Sequence, residues 1–118
     1  MKMLSKDELV KLITKISHET VQKPKSTCQL LGMLSKNGEA ALAYNLPSTI
    51  KKVTITEFYE AYKELNSSLS INHTWYTQTF PVYDSSSPCN FTTIGAVFVR
   101  LEFAEYKCNK YVQINKEI

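Results

Sequence analysis

The sequence predicts a single small α+β domain spanning residues 1–118: an N-terminal helix and a β-hairpin, then three helices and a short β-ribbon. Three observations carry that prediction. Ser5/Glu8 and Thr54/Glu57 each form an [ST]-x-x-E signature, the mark of a helix whose first free N–H groups are capped reciprocally. Asn37-Gly38 lies between two apolar runs and supplies the positive φ angles of a tight hairpin turn. From Phe91 onward, apolar residues recur at spacings of three and four, the period of a buried helical face.

The first helix covers about residues 6–17. Leu9, Leu12, Ile13 and Ile16 form its apolar stripe, and Lys6, Asp7, Lys11 and Lys15 keep the far side wet. Residues 18–26 read as a linker broken by Pro24. Residues 27–34 and 39–46 are the hairpin strands, in which Gly32 marks a bulge or a close backbone approach. Asn45-Leu46-Pro47-Ser48 ends this ribbon, and Val53 extends a third short strand.

The second capping box opens a helix to about residue 65, with Phe58, Ala61, Tyr62 and Leu65 on its inner face. Ser70 or Asn72 caps the next helix, which presents Ile71, Trp75, Tyr76 and Phe80 before Pro81 ends it. Residues 81–89, with the run Ser85-Ser86-Ser87, read as a surface loop. Asn90 is the expected N-cap of the central helix. Phe91, Ile94, Phe98 and Leu101 line one face of it, and Val97 and Val99 widen that face. Gly95 costs a helix interior about 1 kcal/mol relative to Ala, so a neighbouring helix or aromatic ring is expected to approach closely there. Tyr106 and residues 111–114 then pair as strands around Cys108-Asn109-Lys110.

Composition narrows the function classes. A hydrophobic share of 43% and a charged share of 21% are those of an ordinary globular domain. The formal charge of +3 permits a polyanionic partner without demanding one. The N-terminal run is amphipathic and charged, unlike a signal peptide, and no apolar run approaches a membrane span. Cys28, Cys89 and Cys108 cannot all pair within one chain, which favours a reducing, cytoplasmic setting. The Lys-, Asn- and Ser-rich composition suits an AT-rich coding genome or its mobile elements.

Catalytic chemistry is hard to assemble. Cys89 precedes a helix and His73 offers a base, but no spacing links them, and a small cysteine beside a helix start is more commonly structural. The cysteines and the two histidines, His18 and His73, are too scattered for zinc, whose ligands come in close pairs. Gly32, Gly38 and Gly95 are too far apart for a nucleotide loop. No enzyme, metal or cofactor is expected.

From Thr54 onward, three helices followed by a ribbon resemble the element order of a winged-helix domain. The likeness covers about half the chain and rests on order, with no sequence motif. It implies that the third helix enters the major groove, offering Thr92, Thr93 and Arg100, while the ribbon touches phosphates through Lys107 and Lys110. Ser87 and the helix start at Asn90 would add phosphate donors. Two departures stand against it: the third helix is poor in base-reading side chains, and the 81–89 segment is long for the turn between the second and third helices.

The expected function is therefore a non-enzymatic binding module whose partner is duplex nucleic acid. The alternatives are a protein-interaction module, using its aromatic surface or first helix on a partner or on itself, and a small-ligand binder with a pocket of Trp75, Tyr76, Phe80 and Tyr83. Those aromatics are as readily explained as core, and lysines on turns as solvated surface.

Overall fold

Residues 3–114 are described by a computed structural model of the chain. Helix α1 (Lys6–Ile16) is followed by strands β1 (Thr20–Gln22), β2 (Thr27–Lys36), β3 (Glu39–Leu46) and β4 (Thr49–Thr54), which form an antiparallel sheet in the order β1-β2-β3-β4. Then come α2 (Ile55–Ser68), β5 (Ser70–Ile71), α3 (His73–Thr79), α4 (Pro81–Ser86), α5 (Asn90–Arg100), β6 (Ala104–Lys107) and β7 (Lys110–Gln113). The last three strands make a second antiparallel sheet, ordered β5-β7-β6. The architecture is α+β, with one core running from Leu9 and Ile13 of α1, through Leu42 and Tyr44 of β3, to Phe58 of α2 and Phe98 of α5.

Local signals place several of these elements. Both capping boxes form: Ser5 with Glu8 opens α1, and Thr54 with Glu57 opens α2. Asn37 and Gly38 take φ angles of 54° and 79° in the β2–β3 turn. At Gly32 both expected reasons hold, since the strand register shifts between Leu30 and Gly32 and a Cβ there would lie 2.9 Å from His18 Cε1. Three residues of the α1 stripe, Leu9, Ile13 and Ile16, are buried in the core, whereas Leu12 is half-buried.

Other expectations are corrected. The 18–26 segment is not a plain linker, because Thr20, Val21 and Gln22 pair with Gln29, Cys28 and Thr27. Pro47-Ser48 does not end the sheet. The chain turns there into β4, whose six residues pair along the whole of Ala41 to Leu46. The third short strand expected at Val53 is the end of β4, and Lys51 and Lys52 hid its earlier part; lysines suit an edge strand because they discourage further pairing. Ile71 sits in β5 rather than in a helix, and α2 runs on to Ser68. Residues 81–86 form α4 with Pro81 at its start, where a missing N–H costs nothing.

Helix α5 is buried on nearly all sides, as its apolar sequence requires. Ile94, Val97 and Phe98 have no exposed surface, whereas Leu101 is half-buried and Val99 is exposed. Gly95 admits the ring of Tyr111: a Cβ at this position would stand 2.1 Å from Tyr111 Cζ. The helix ends in a Schellman motif. The N–H of Phe103 donates to Phe98 O at 2.8 Å, that of Glu102 to Val99 O at 3.0 Å, and the Phe98 and Phe103 rings pack 5.8 Å apart. Glu102 holds the left-handed position of this motif, φ 64°, where glycine is usual.

Candidate nucleic-acid interface

The ribbon β6–β7 is a two-residue hairpin. Cys108 and Asn109 adopt φ angles of 53° and 62° at its turn, so Lys110 belongs to the strand and not to the turn. Successive strand residues point to opposite faces. Tyr106 and Tyr111, directly opposite each other, put their rings 5.1 Å apart on the inner face, where Tyr111 packs against α5. Lys107 and Lys110, also directly opposite, project from the other face. Both are exposed, and neither has an ion-pair partner among the described residues. Like charges facing each other across two strands destabilise a ribbon. Glu105 shares that outer face and leaves it one net positive charge.

The remaining predicted contacts do not gather around the ribbon. Asn90 is fully buried and is not the N-cap; Cys89 holds that position without a capping side-chain bond. The Asn90 side chain instead joins three elements: Oδ1 accepts from Tyr44 Oη at 2.6 Å, and Nδ2 donates to Lys52 O and Glu57 Oε1, each at 3.1 Å. Glu57, itself fully buried, accepts further from Thr54 N at 2.8 Å, from Thr54 Oγ1 at 2.9 Å and from the Tyr76 hydroxyl. This saturated network lets a carboxylate remain in the core. Burial pushes the phenols of Tyr44 and Tyr76 well above the ordinary tyrosine range.

Ser87 and Thr93 are likewise buried, and Thr93 Oγ1 donates to Cys89 O at 3.0 Å. Thr92 is half-buried and spends its hydroxyl on the same carbonyl at 3.1 Å. Arg100 is exposed but grips Glu19 in a bidentate pair at 2.6 and 3.1 Å. Helix α5 therefore has no free polar face with which to read bases. The major-groove role expected for it is withdrawn, and of the seven predicted contacts Lys107 and Lys110 alone are exposed and unpaired.

A second basic locus was not legible in the sequence. Lys23 just after β1, Lys36 at the end of β2 and Lys51 in β4 all reach the α4–α5 region. Lys51 Nζ donates to Ser86 O at 3.0 Å, Lys23 Nζ to Cys89 O at 3.4 Å, and Lys36 Nζ stands 4.8 Å above the Tyr83 ring. Their partners are carbonyls and rings, which leave the positive charge uncancelled. Burial lowers the pKa of Lys23 below the ordinary lysine value.

The aromatic group expected to line a ligand pocket packs upon itself. Phe80 lies 6.2 Å from Trp75, 5.6 Å from Tyr76 and 6.2 Å from Tyr83, ring to ring, filling the space a ligand would need. No helix among the described residues is long and apolar enough to cross a membrane. Compared with family models, curated proteins and solved structures, the chain finds no match.

Proposed function

We propose that the protein binds nucleic acid through its phosphate backbone, with the β6–β7 ribbon as the contact and little discrimination between sequences. The observation that carries this reading is the Lys107–Lys110 pair, two exposed ammoniums without an ion-pair partner among the described residues, held opposite each other at the tip of a ribbon braced by Tyr106 and Tyr111 and outnumbering Glu105 on their face. Phosphates on a polyanion relieve that repulsion and release counterions as they do so. Indifference to sequence follows from the burial of α5: contacts to phosphates position a protein, whereas contacts to base edges specify a site. From Ile55 onward the elements run α2, β5, α3, α4, α5 and a hairpin, one helix and one strand more than the three-helices-and-ribbon order of the winged-helix comparison. A ribbon contact keeps the wing of that comparison and gives up its recognition helix.

The test is an anisotropy titration of a mixed-sequence duplex at several salt concentrations. Each phosphate contact adds about −0.9 to the slope of log affinity against log salt, so Lys107→Ala with Lys110→Ala should flatten it by about two units. Replacing Lys11 and Lys15, exposed on α1, should leave the slope unchanged and serves as the control. No binding at low salt, or a slope that ignores the ribbon variant, overturns the proposal.

A further inference from the structure

Between α1, α2 and the α5–β6 corner lies an apolar cleft of about 310 Å³. Leu4, Leu12, Leu101, Phe103 and Ile114 line it, and all five remain half-buried rather than closing over one another. Its walls contain few polar atoms, and those are largely satisfied by each other. Tyr62 Oη accepts from Leu4 N at 3.0 Å, Asn66 Nδ2 donates to Tyr62 O at 2.8 Å, and Asn66 Oδ1 accepts from Gln113 Nε2 at 2.5 Å. Gln113 Oε1 is the lining amide oxygen left without a hydrogen bond among the described residues.

We infer that this cleft is a binding site for a small, uncharged ring compound bearing one hydrogen-bond donor. The class follows from the walls. With most lining polar groups already paired, a highly polar ligand finds few partners, and desolvating a charge against five apolar side chains is unfavourable. Glu102 at the rim, an exposed carboxylate, further disfavours anions. The volume lies at the low end of small-molecule sites, so one or two fused rings are the fitting size. A single donor on the ligand would complete Gln113 Oε1. The cleft shares no residue with the ribbon, so this inference stands independently of nucleic-acid binding.

The probe is indole, an uncharged bicycle with one N–H, titrated into the full-length protein and followed by amide chemical shifts and by intermolecular NOEs to methyl groups. Saturable shifts with Kd on the order of 1 mM or below are expected, with NOEs to Leu12, Leu101 and Ile114. 1-Methylindole, which lacks the donor, should bind roughly 2- to 12-fold more weakly, the worth of one neutral hydrogen bond. Gln113→Met should erase that difference. Leu101→Trp, which fills the cleft from its rim, should abolish binding while the protein stays folded. Should either variant fail to fold, the wild-type NOE pattern decides. Absence of saturation, because the space is closed or already filled by another part of the chain, overturns the inference. So do NOEs to methyl groups elsewhere.

Discussion

The hydroxyl of Tyr44 donates to Oδ1 of Asn90 at 2.6 Å, joining the middle of the four-stranded sheet to the first turn of α5. Through its amide Asn90 passes the connection on to Glu57 and to the backbone of Lys52, so one side chain ties β3, β4, α2 and α5 together. A position that looks like a helix cap is the hub of the buried polar network.

Replacing that hub should be costly. Asn90→Ala strands the Tyr44 hydroxyl and removes a donor from Glu57. At about 1–3 kcal/mol for each buried group left unpaired, a loss of about 3 kcal/mol is expected. Asn90→Asp should cost more near neutral pH, because it sets a second carboxylate against Glu57. Urea denaturation of both variants is the measurement. A loss below about 1 kcal/mol for Asn90→Ala would contradict the structural role.

Gly95→Ala should destabilise by at least about 1–3 kcal/mol, the usual range for overpacking, since the new methyl group would overlap the Tyr111 ring. Tyr111→Leu in the same chain should recover part of that loss. Tyr111→Phe alone should be neutral or stabilising, because the Tyr111 hydroxyl is buried with no hydrogen-bond partner. Thermal melts of these variants, with Tyr111→Leu alone as the fourth, check these signs. Additive losses in the double variant would mean that the two residues do not compete for the same space.

Glu102→Gly should stabilise the protein by about 1 kcal/mol or less, since relief of the left-handed backbone, about 1–2 kcal/mol, is partly offset by the extra freedom of glycine in the unfolded chain, about 0.5–1 kcal/mol. The left-handed conformation costs an L side chain more than it costs glycine, and glycine is the usual occupant of this Schellman position. A decrease in melting temperature would show that the Glu102 side chain contributes more than its backbone strain costs.

Acid should loosen the contact between α3 and α4. The hydrogen bond from His73, with a smaller share from Thr77, holds the Asp84 carboxyl below the usual aspartate range. A carboxylate whose pKa is depressed on folding stabilises the native state above its unfolded pKa, near 3.9. That contribution is lost as pH falls through the lower folded value. Because Asp84 lies near the surface, the effect is small. Asp84→Asn should be less stable than the wild type at pH 6, with the gap narrowing below about pH 4. A gap that stays constant into strong acid would exclude the ionised carboxylate as its source.

The sequence by itself determined the features whose causes are local. Ser5 with Glu8 and Thr54 with Glu57 start helices through contacts three residues apart, and Asn37-Gly38 turns the hairpin by its own backbone preferences. Lys107 and Lys110 could be recognised as exposed because nothing in a short ribbon can cover them. Even the ring over Gly95 could be anticipated, since a glycine within an apolar helix calls for a close neighbour, although nothing local names Tyr111. Tertiary structure decided the rest. β1, and the stretch of β4 before Val53, are strands because β2 and β3 provide edges for them, and their own residues alternate too weakly to announce it. Asn90, Thr93 and Ser87 have the side chains of surface donors, and became interior residues when the sheet closed over the start of α5. The partner that withdrew Asn90 from the surface is Tyr44, 46 positions away. Burial is a property of what arrives from elsewhere in the chain, and helical period and capping rules carry no record of it.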